Sequence, residues 1–333
     1  MIIKVNYIFA FCAFWLAASV FATDTTSYPP FSPYADLTIN AHWDSQYQDM
    51  EPMDLVSVSQ LSGLTHHHLA FITDAGNCNP AWGGYSGYLV NNEWGKHLTD
   101  KLQAHGVAYT IAFGGASGSD LSAACEVPKL VSIYEKVILT YQPEGLDFDI
   151  ENGSANVISI MTALKQIQTT HSNIRLSFTL PTLPEGLTAE GQEVVQQAKN
   201  TGLNYHINIM AMDYGPAYSG DMAQYAEQAA TNLFSFLKGL YPEKTDSEIW
   251  NMIEITPMIG VNDVSIEQFT LQNADTLRAF ANEKQIGGLS YWSVARDNPC
   301  ADQWASPTCS GNHLQSVSYE FAKHFLITPK PKH

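Results

Sequence analysis

Eight short, β-rich apolar runs that alternate with longer stretches of helical periodicity predict an α/β chain folded as a single (β/α)8 TIM barrel. The runs occupy residues 35–43 (ADLTINAHW), 68–73 (HLAFIT), 107–115 (VAYTIAFGG), 145–151 (GLDFDIE), 174–181 (IRLSFTLP), 206–215 (HINIMAMDYG), 252–260 (MIEITPMIG) and 287–293 (GGLSYWS). Between them, apolar residues recur at spacings of three and four over 126–142 and 155–171, the signature of helices with one buried face. Further helices are expected over 92–105, 221–241, 265–284 and 314–325. No Gly/Ser-rich linker interrupts the pattern, so one domain is expected over residues 34–326. The competing arrangement is a doubly wound open sheet.

The ends of the chain read differently from its middle. Residues 1–22, MIIKVNYIFAFCAFWLAASVFA, carry one lysine, an apolar run over 7–21 and small residues at the end, a secretory signal pattern. The run is too short for a comfortable membrane span, so the expected mature protein starts at Thr23, is exported to the periplasm or the exterior and leaves the membrane after cleavage. A Pro/Ser/Thr-rich lead-in follows over 23–33, and 327–333 form a short tail. Removing residues 1–22 takes away Lys4 and no acid, which leaves 15 basic against 33 acidic residues, a balance of −18. Such a charge argues against nucleic acid and anionic membranes as partners and favours a neutral substrate. Four cysteines remain, Cys78, Cys125, Cys300 and Cys309. In an oxidising compartment an even number suggests two disulfides; of the three connectivities, Cys78 with Cys125 and Cys300 with Cys309 is expected, the second closing a short loop. A zinc site is the rival use, but the chain has no C-x-x-C pair.

The stretch GLDFDIEN (residues 145–152) places Asp147, Asp149 and Glu151 at alternating positions with Leu146, Phe148 and Ile150 between them. In an extended chain the three acids share one face and the apolar residues the other. Carboxylates about 7 Å apart along a strand face raise one another's proton affinity, which costs stability and suits acid catalysis. A solvated acidic face on a surface strand is the bland alternative. The barrel decides between them, because its chemistry gathers at the C-terminal strand ends. There Glu151 ends the fourth strand, Gly114 and Gly115 the third, Asp213 and Tyr214 the sixth and Trp292 the eighth, and all converge on one mouth.

With EGLDFDIE on the fourth strand of an eightfold β/α chain, the sequence resembles glycoside hydrolase family 18, the chitinases and their relatives. The family signature D-G-x-D-x-D-x-E reads here Glu144, Gly145, Leu146, Asp147, Phe148, Asp149, Ile150, Glu151. Only the first position departs, by one methylene, and it is expected deepest in the barrel. The family's S-x-G-G motif appears as Ala112, Phe113, Gly114, Gly115, with a hydroxyl lost beside the acids. Its M-x-Y-D motif appears as Met210, Ala211, Met212, Asp213, with Tyr214 following at once. Trp292 matches the tryptophan that floors the sugar site.

The resemblance implies that Glu151 protonates the leaving glycosidic oxygen while the substrate's own 2-acetamido carbonyl attacks C1, a retaining, substrate-assisted route through an oxazolinium. Asp149 then accepts the acetamide N–H, Asp147 shares a proton with Asp149, and Tyr214 or Asp213 holds the acetamide carbonyl. Met210, Gly114 and Gly115 fall among the expected substrate-binding residues, with Trp82 and Tyr85 as sugar shelves in NPAWGGYSGY (residues 79–88). The implied protein is a secreted, monomeric chitinase that takes chitin or N-acetylglucosamine oligosaccharides and uses no cofactor and no metal. His66, His67 and His68 alternate faces in an extended chain, so they do not form one metal grip. Two alternatives stay open: an endo-β-N-acetylglucosaminidase acting on N-glycans, and a non-catalytic chitin-binding lectin. The Asn152-Gly153-Ser154 sequon adjoins Glu151 and reads as coincidence, since a glycan there would block the mouth.

Overall fold

A computed structural model describes residues 30–326; the expected signal over 1–22, the lead-in up to residue 29 and the tail over 327–333 lie outside them. Eight parallel strands run in sequence order around one sheet: β1 (Tyr34–Asp36), β2 (His66–Asp74), β3 (Ala108–Gly114), β4 (Gly145–Asp149), β5 (Arg175–Leu183), β6 (His206–Ala211), β7 (Ile253–Pro257) and β8 (Gly288–Leu289). The ring closes between β8 and β1 through parallel bridges from Phe31 to Leu289 and from Tyr34 to Trp292. Ser32 N–H donates to the Leu289 carbonyl at 2.9 Å and Tyr34 N–H to the Tyr291 carbonyl at 3.0 Å. The end of the lead-in is therefore built into the wall of the barrel, and the (β/α)8 architecture stands.

The first strand departs from its expected span of 35–43. Asp36 Oδ1 accepts from Thr38 N–H at 2.8 Å and Thr38 Oγ1 at 2.7 Å, a side-chain turn that offers the backbone an alternative to the ladder. The chain leaves the barrel there, and His42–Asp44 pairs instead with Asp49–Glu51 as a separate hairpin.

Helices α1 (Leu55–Ser62), α2 (Lys96–Ala104), α3 (Val127–Tyr141), α4 (Val157–Thr170), α5 (Ala189–Thr201), α6 (Met222–Leu240), α7 (Asp246–Asn251), α8 (Leu271–Lys284) and α9 (Glu320–Leu326) pack outside. Three of them, α1, α5 and α7, have no counterpart among the expected helices. In α5 only Gly191, Val194, Val195 and Ala198 are buried among polar residues, too thin a stripe for periodicity to stand out. The helix expected over 265–284 starts at Leu271, where Thr270 and Asn273 form a reciprocal cap. That expected over 314–325 starts at Glu320, and the Asp297 carboxylate accepts from Phe321 and Ala322 N–H at its first turn.

The alternation in β4 sorts the two faces. Phe148 points outward, stacked on Phe113 of β3 at 5.2 Å between centroids and edge-on to Tyr134 of α3 at 5.3 Å, while Asp147 and Asp149 point into the barrel. Two disulfides brace the loops above it: Cys78–Cys125 joins the loops after β2 and β3, and Cys300–Cys309 closes a loop after β8. Among the described residues no helix is long and apolar enough to cross a membrane.

The tightest point of the mouth is where β3 meets β4. Gly114 has φ of +87°, and a Cβ there would sit 2.1 Å from the Asp149 carbonyl oxygen, while Gly115 N–H donates to that same oxygen at 3.0 Å. Only glycine fits. Gly114→Ala is expected to lower unfolding stability by about 3 kcal/mol or more, read by urea denaturation followed through tryptophan fluorescence; an unchanged midpoint would show that the β3–β4 junction yields.

Candidate active site

Asp147 lies in the centre of the barrel with no exposure to solvent. It survives there because three hydroxyls point at it: Tyr34 Oη donates to Oδ2 at 2.9 Å, and Ser177 Oγ and Thr179 Oγ1 donate to Oδ1 at 2.6 and 2.9 Å. A second tier fixes the first. Asn208 Nδ2 donates to Tyr34 Oη and Thr179 Oγ1, both at 3.0 Å, and Thr256 Oγ1 donates to Asn208 Oδ1 at 2.8 Å. Inward residues of β1, β4, β5, β6 and β7 thus form one network, in which each buried polar group finds a partner. Ala112, at the position of the family's serine, is the register partner of Asp147 across β3 and β4; the hydroxyls come from β5 instead.

Two residues further on, Asp149 is buried, and its Oδ1 has no hydrogen-bond partner among the described residues. Strand β4 ends at Asp149, but Ile150 N–H still donates to the Thr179 carbonyl at 3.0 Å. The backbone therefore stays extended long enough to keep Glu151 on the same face. Burial pushes the Asp149 carboxyl well above the carboxylate range, and the neighbouring Glu151 and Asp147 push the same way. Burial also raises Glu151, to about 6, with Asp213 facing it and a shared hydrogen bond from Asp149 pulling it down. Asp147 is raised by burial against the pull of His68 and its hydroxyl donors. The arrangement favours one shared proton between Asp149 and Glu151.

Above the acids is a cavity of about 200 Å³. Trp292 and Phe71 stack at 5.7 Å to form its aromatic wall, and Met210, Met212 and Met258 supply flexible apolar surface. A second cavity of about 190 Å³ adjoins it and shares Met258, Asp263 and Trp292, so the mouth extends as a groove past the tryptophan. Asp213 enters from the turn after β6; its Oδ1 accepts from Val264 N–H at 2.9 Å, and burial, with Asp263 opposite, raises its carboxyl.

The expected residues divide accordingly. Glu151, Asp149, Asp213, Met210 and Trp292 line the cavity, with Asp147 directly beneath in the network. Tyr214 does not reach it: the ring packs among Tyr218 and Tyr225, and its buried hydroxyl has no partner among the described residues. The residue after Asp213 points away from its neighbour, so Met212 takes the wall instead. Trp82 is a core residue, fully buried and edge-on to Tyr141 at 5.8 Å, because the chain turns back antiparallel on β2 at that point. Tyr85 is 57 % exposed and is not part of the cavity lining. Gly114 and Gly115 shape the backbone at the rim without lining the cavity. Glu144 is not deep in the barrel: it lies at the opposite end, 69 % exposed and 3.9 Å from His66. The three histidines separate as alternation requires, His67 bonding Ser59 of α1 and His68 stacking on Tyr34 inside. The Asn152 amide of the sequon donates to the Gly115 and Gly118 carbonyls. Sequence reading missed Tyr34, Phe71, Thr179, Thr256, Met258 and Asp263. The one available signal was polar residues at alternate positions in the runs of β5, β6 and β7.

A barrel with this ladder of acids at its centre defines the carbohydrate-cleaving class, and the comparisons with known proteins carry the assignment further. Active domain 2 of a chitinase from Pyrococcus furiosus, solved as catalytic-site mutants, superposes with a TM-score of 0.80 at 34 % identity, over 90 % of this chain and 95 % of that one. A probable bifunctional chitinase/lysozyme from Escherichia coli is 33 % identical over 89 % of this chain, and an endochitinase from Metarhizium anisopliae 32 % identical over 81 %. The chain spans about a third and about half of the lengths of those two relatives. A family 18 chitinase from Pseudoalteromonas aurantia, 16 % identical with a TM-score of 0.55, shares the fold. No protein-family model matches the chain. The chain belongs to glycoside hydrolase family 18, the family of the chitinases.

Tyr34→Phe removes the one donor to Asp147 Oδ2 among the described residues and is expected to cost about 1–3 kcal/mol of stability, measured by urea denaturation. A neutral result would mean that the carboxyl is satisfied by its β5 hydroxyls alone.

Proposed function

We propose that the protein is a secreted, retaining chitinase that cleaves β-1,4 bonds between N-acetylglucosamine units with help from the substrate's own acetamide. The observation that carries this reading is the pairing of Glu151, half-buried and holding its proton up to about 6, with an adjacent buried Asp149 whose Oδ1 has no partner. Such an oxygen is an acceptor kept in reserve. A 2-acetamido N–H bound in the cavity would satisfy it and turn the acetamide carbonyl toward C1.

In the reaction, the Glu151 proton passes to the glycosidic oxygen as the C1–O bond breaks, and the acetamide oxygen forms the new bond to C1. With the shared proton gone, Glu151 and Asp149 are both carboxylates, and the positive charge on the oxazolinium lies next to Asp149. Asp147 stays fixed beneath them by its hydroxyl donors. Water then attacks C1 with Glu151 as base, so the configuration at C1 is retained. Trp292 offers the sugar ring an apolar face, and Asp213, rather than the buried Tyr214, is the residue placed to bind the acetamide. A groove running on past Trp292 suits a chain better than a single sugar. Export through residues 1–22 and action as a monomer complete the proposal; N-terminal sequencing at Thr23 and light scattering test them.

Mass spectrometry of products from chitin pentasaccharide and from a high-mannose glycoprotein distinguishes the readings. Short N-acetylglucosamine oligomers are expected; release of the glycan would make the protein an endo-β-N-acetylglucosaminidase, and silence on both would make the lectin reading the one to test, by chitin binding. Glu151→Gln is expected to abolish turnover while oligosaccharide binding persists, and retained hydrolysis would remove Glu151 from its role. Because Glu151 must be protonated to act, kcat/KM is expected to fall about tenfold per pH unit above about pH 6.

The same group has a stability consequence. Its folded pKa lies above the unfolded value of about 4.3, so the folded state binds the proton more tightly and loses stability as pH rises from about 4.3 to about 6. Glu151→Gln is therefore expected to raise Tm at pH 7.5, with the gain closing by about pH 4. An equal gain at both pH values would point to packing rather than charge.

A further inference from the structure

Asp213 reaches the cavity in a conformation that few non-glycine residues adopt, with φ of +51°. Its place depends on what restrains the turn after β6. Tyr214 N–H donates to Glu267 Oε2 at 3.1 Å and Gly215 N–H to Glu267 Oε1 at 2.7 Å, so both oxygens of one carboxylate grip successive amides. Glu267 is 1 % exposed and comes from the loop between β7 and α8. It is itself held at both backbone ends, its N–H donating to the Val264 carbonyl at 2.8 Å and its carbonyl accepting from Asn262 N–H at 3.0 Å. That loop also carries Asp263 of the cavity and the Val264 N–H that binds Asp213 Oδ1.

A buried carboxylate with no cationic partner is a costly group to retain. Among the described residues Glu267 forms no salt bridge, and the two amides satisfy it in place of a cation. An apolar residue in this loop would pack without that cost but would leave the amides of 214 and 215 unbound and the turn free to relax.

We propose that Glu267 is a positioning residue for the cleavage reaction: by clamping the amides of Tyr214 and Gly215 it keeps Asp213 turned into the cavity beside Glu151. The inference rests on the hydrolase reading above. The charged groups that face Asp213 are Glu151 above β4, Asp263 and Glu267 in the loop after β7, and Arg296 after β8. Asp213 raises the proton affinity of Glu151 through space, as it does that of Glu267 and Arg296, so a displaced Asp213 leaves Glu151 more acidic.

The test compares the full chain with Glu267→Gln, in which one accepting oxygen becomes an NH2 that faces an amide N–H. On chitin pentasaccharide, kcat is expected to fall about tenfold or more with KM within about twofold, and the basic limb of kcat/KM to move to lower pH. In an Asp213→Asn background the same change is expected to add less than about twofold, since the positioned group is already altered. If Glu267→Gln does not fold, Glu267→Asp, which keeps the charge but reaches only one amide, is measured in the same way. An unmoved basic limb, or an equal fold-loss with and without the Asp213 carboxylate, overturns the positioning role and leaves Glu267 a turn cap. A wild-type protein inert on the pentasaccharide overturns this inference together with the hydrolase reading, whereas an active wild type with an indifferent Glu267 variant overturns this inference alone.

Discussion

The Asp147 carboxyl in the middle of the barrel imposes the constraint from which the rest of the site follows. A charge-bearing group with no solvent exposure needs donors from several directions, and in a closed barrel these come from neighbouring strands. Tyr34, Ser177 and Thr179 supply them, with Asn208 and Thr256 behind. The network ties β1 to β5, β6 and β7 through side chains as the ladder ties adjacent strands through backbone. It also explains why the interior of this barrel is polar near the mouth where its outer face is packed with Phe113, Phe148 and Phe178.

From that fixed point the acids rise in steps of two residues, each less enclosed than the one beneath. Asp147 is fully buried, Asp149 nearly so and Glu151 half-open to the cavity. Every carboxyl in the series binds its proton more tightly than in water, chiefly through burial. Under the proposed function this gradient would hold a proton near the top, within reach of a substrate oxygen, above carboxyls that titrate together with it. The arrangement is destabilising by construction, and such local cost is common where side chains are poised for chemistry.

The walls of the site are made by loops, and each loop is fastened by a separate device. The Cys78–Cys125 bridge joins the loops after β2 and β3, the Cys300–Cys309 bridge closes the loop after β8, and Glu267 pins the turn after β6 to the loop before α8. Loops fastened in this way hold the side chains of the site to the small tolerances that the proposed chemistry would require. The methionines of the wall provide adaptable contact between these fixed parts.

The barrel and the strand that carries Asp147, Asp149 and Glu151 were legible in the sequence alone, and of the three cysteine connectivities it allowed, the structure adopts the expected one. These features are local or periodic: alternation within seven residues, the repeat of strand and helix, and a short count of cysteines. Helices α1, α5 and α7 escaped notice for different reasons: α1 and α7, at eight and six residues, are too short for a helical repeat to show, and α5 is polar outside a thin buried stripe. The partners of the acids were settled only by the tertiary structure. Tyr34 meets Asp147 across 113 positions and Asn208 meets Tyr34 across 174, and no local pattern encodes which hydroxyl closes on which carboxyl. For the same reason Tyr214 and Trp82, both plausible as isolated aromatics near the mouth, turned into the core, while Met212 and Phe71 took the cavity. Direction at a strand end depends on one backbone turn, and that turn is set by groups such as Glu267, which reach it only through the fold.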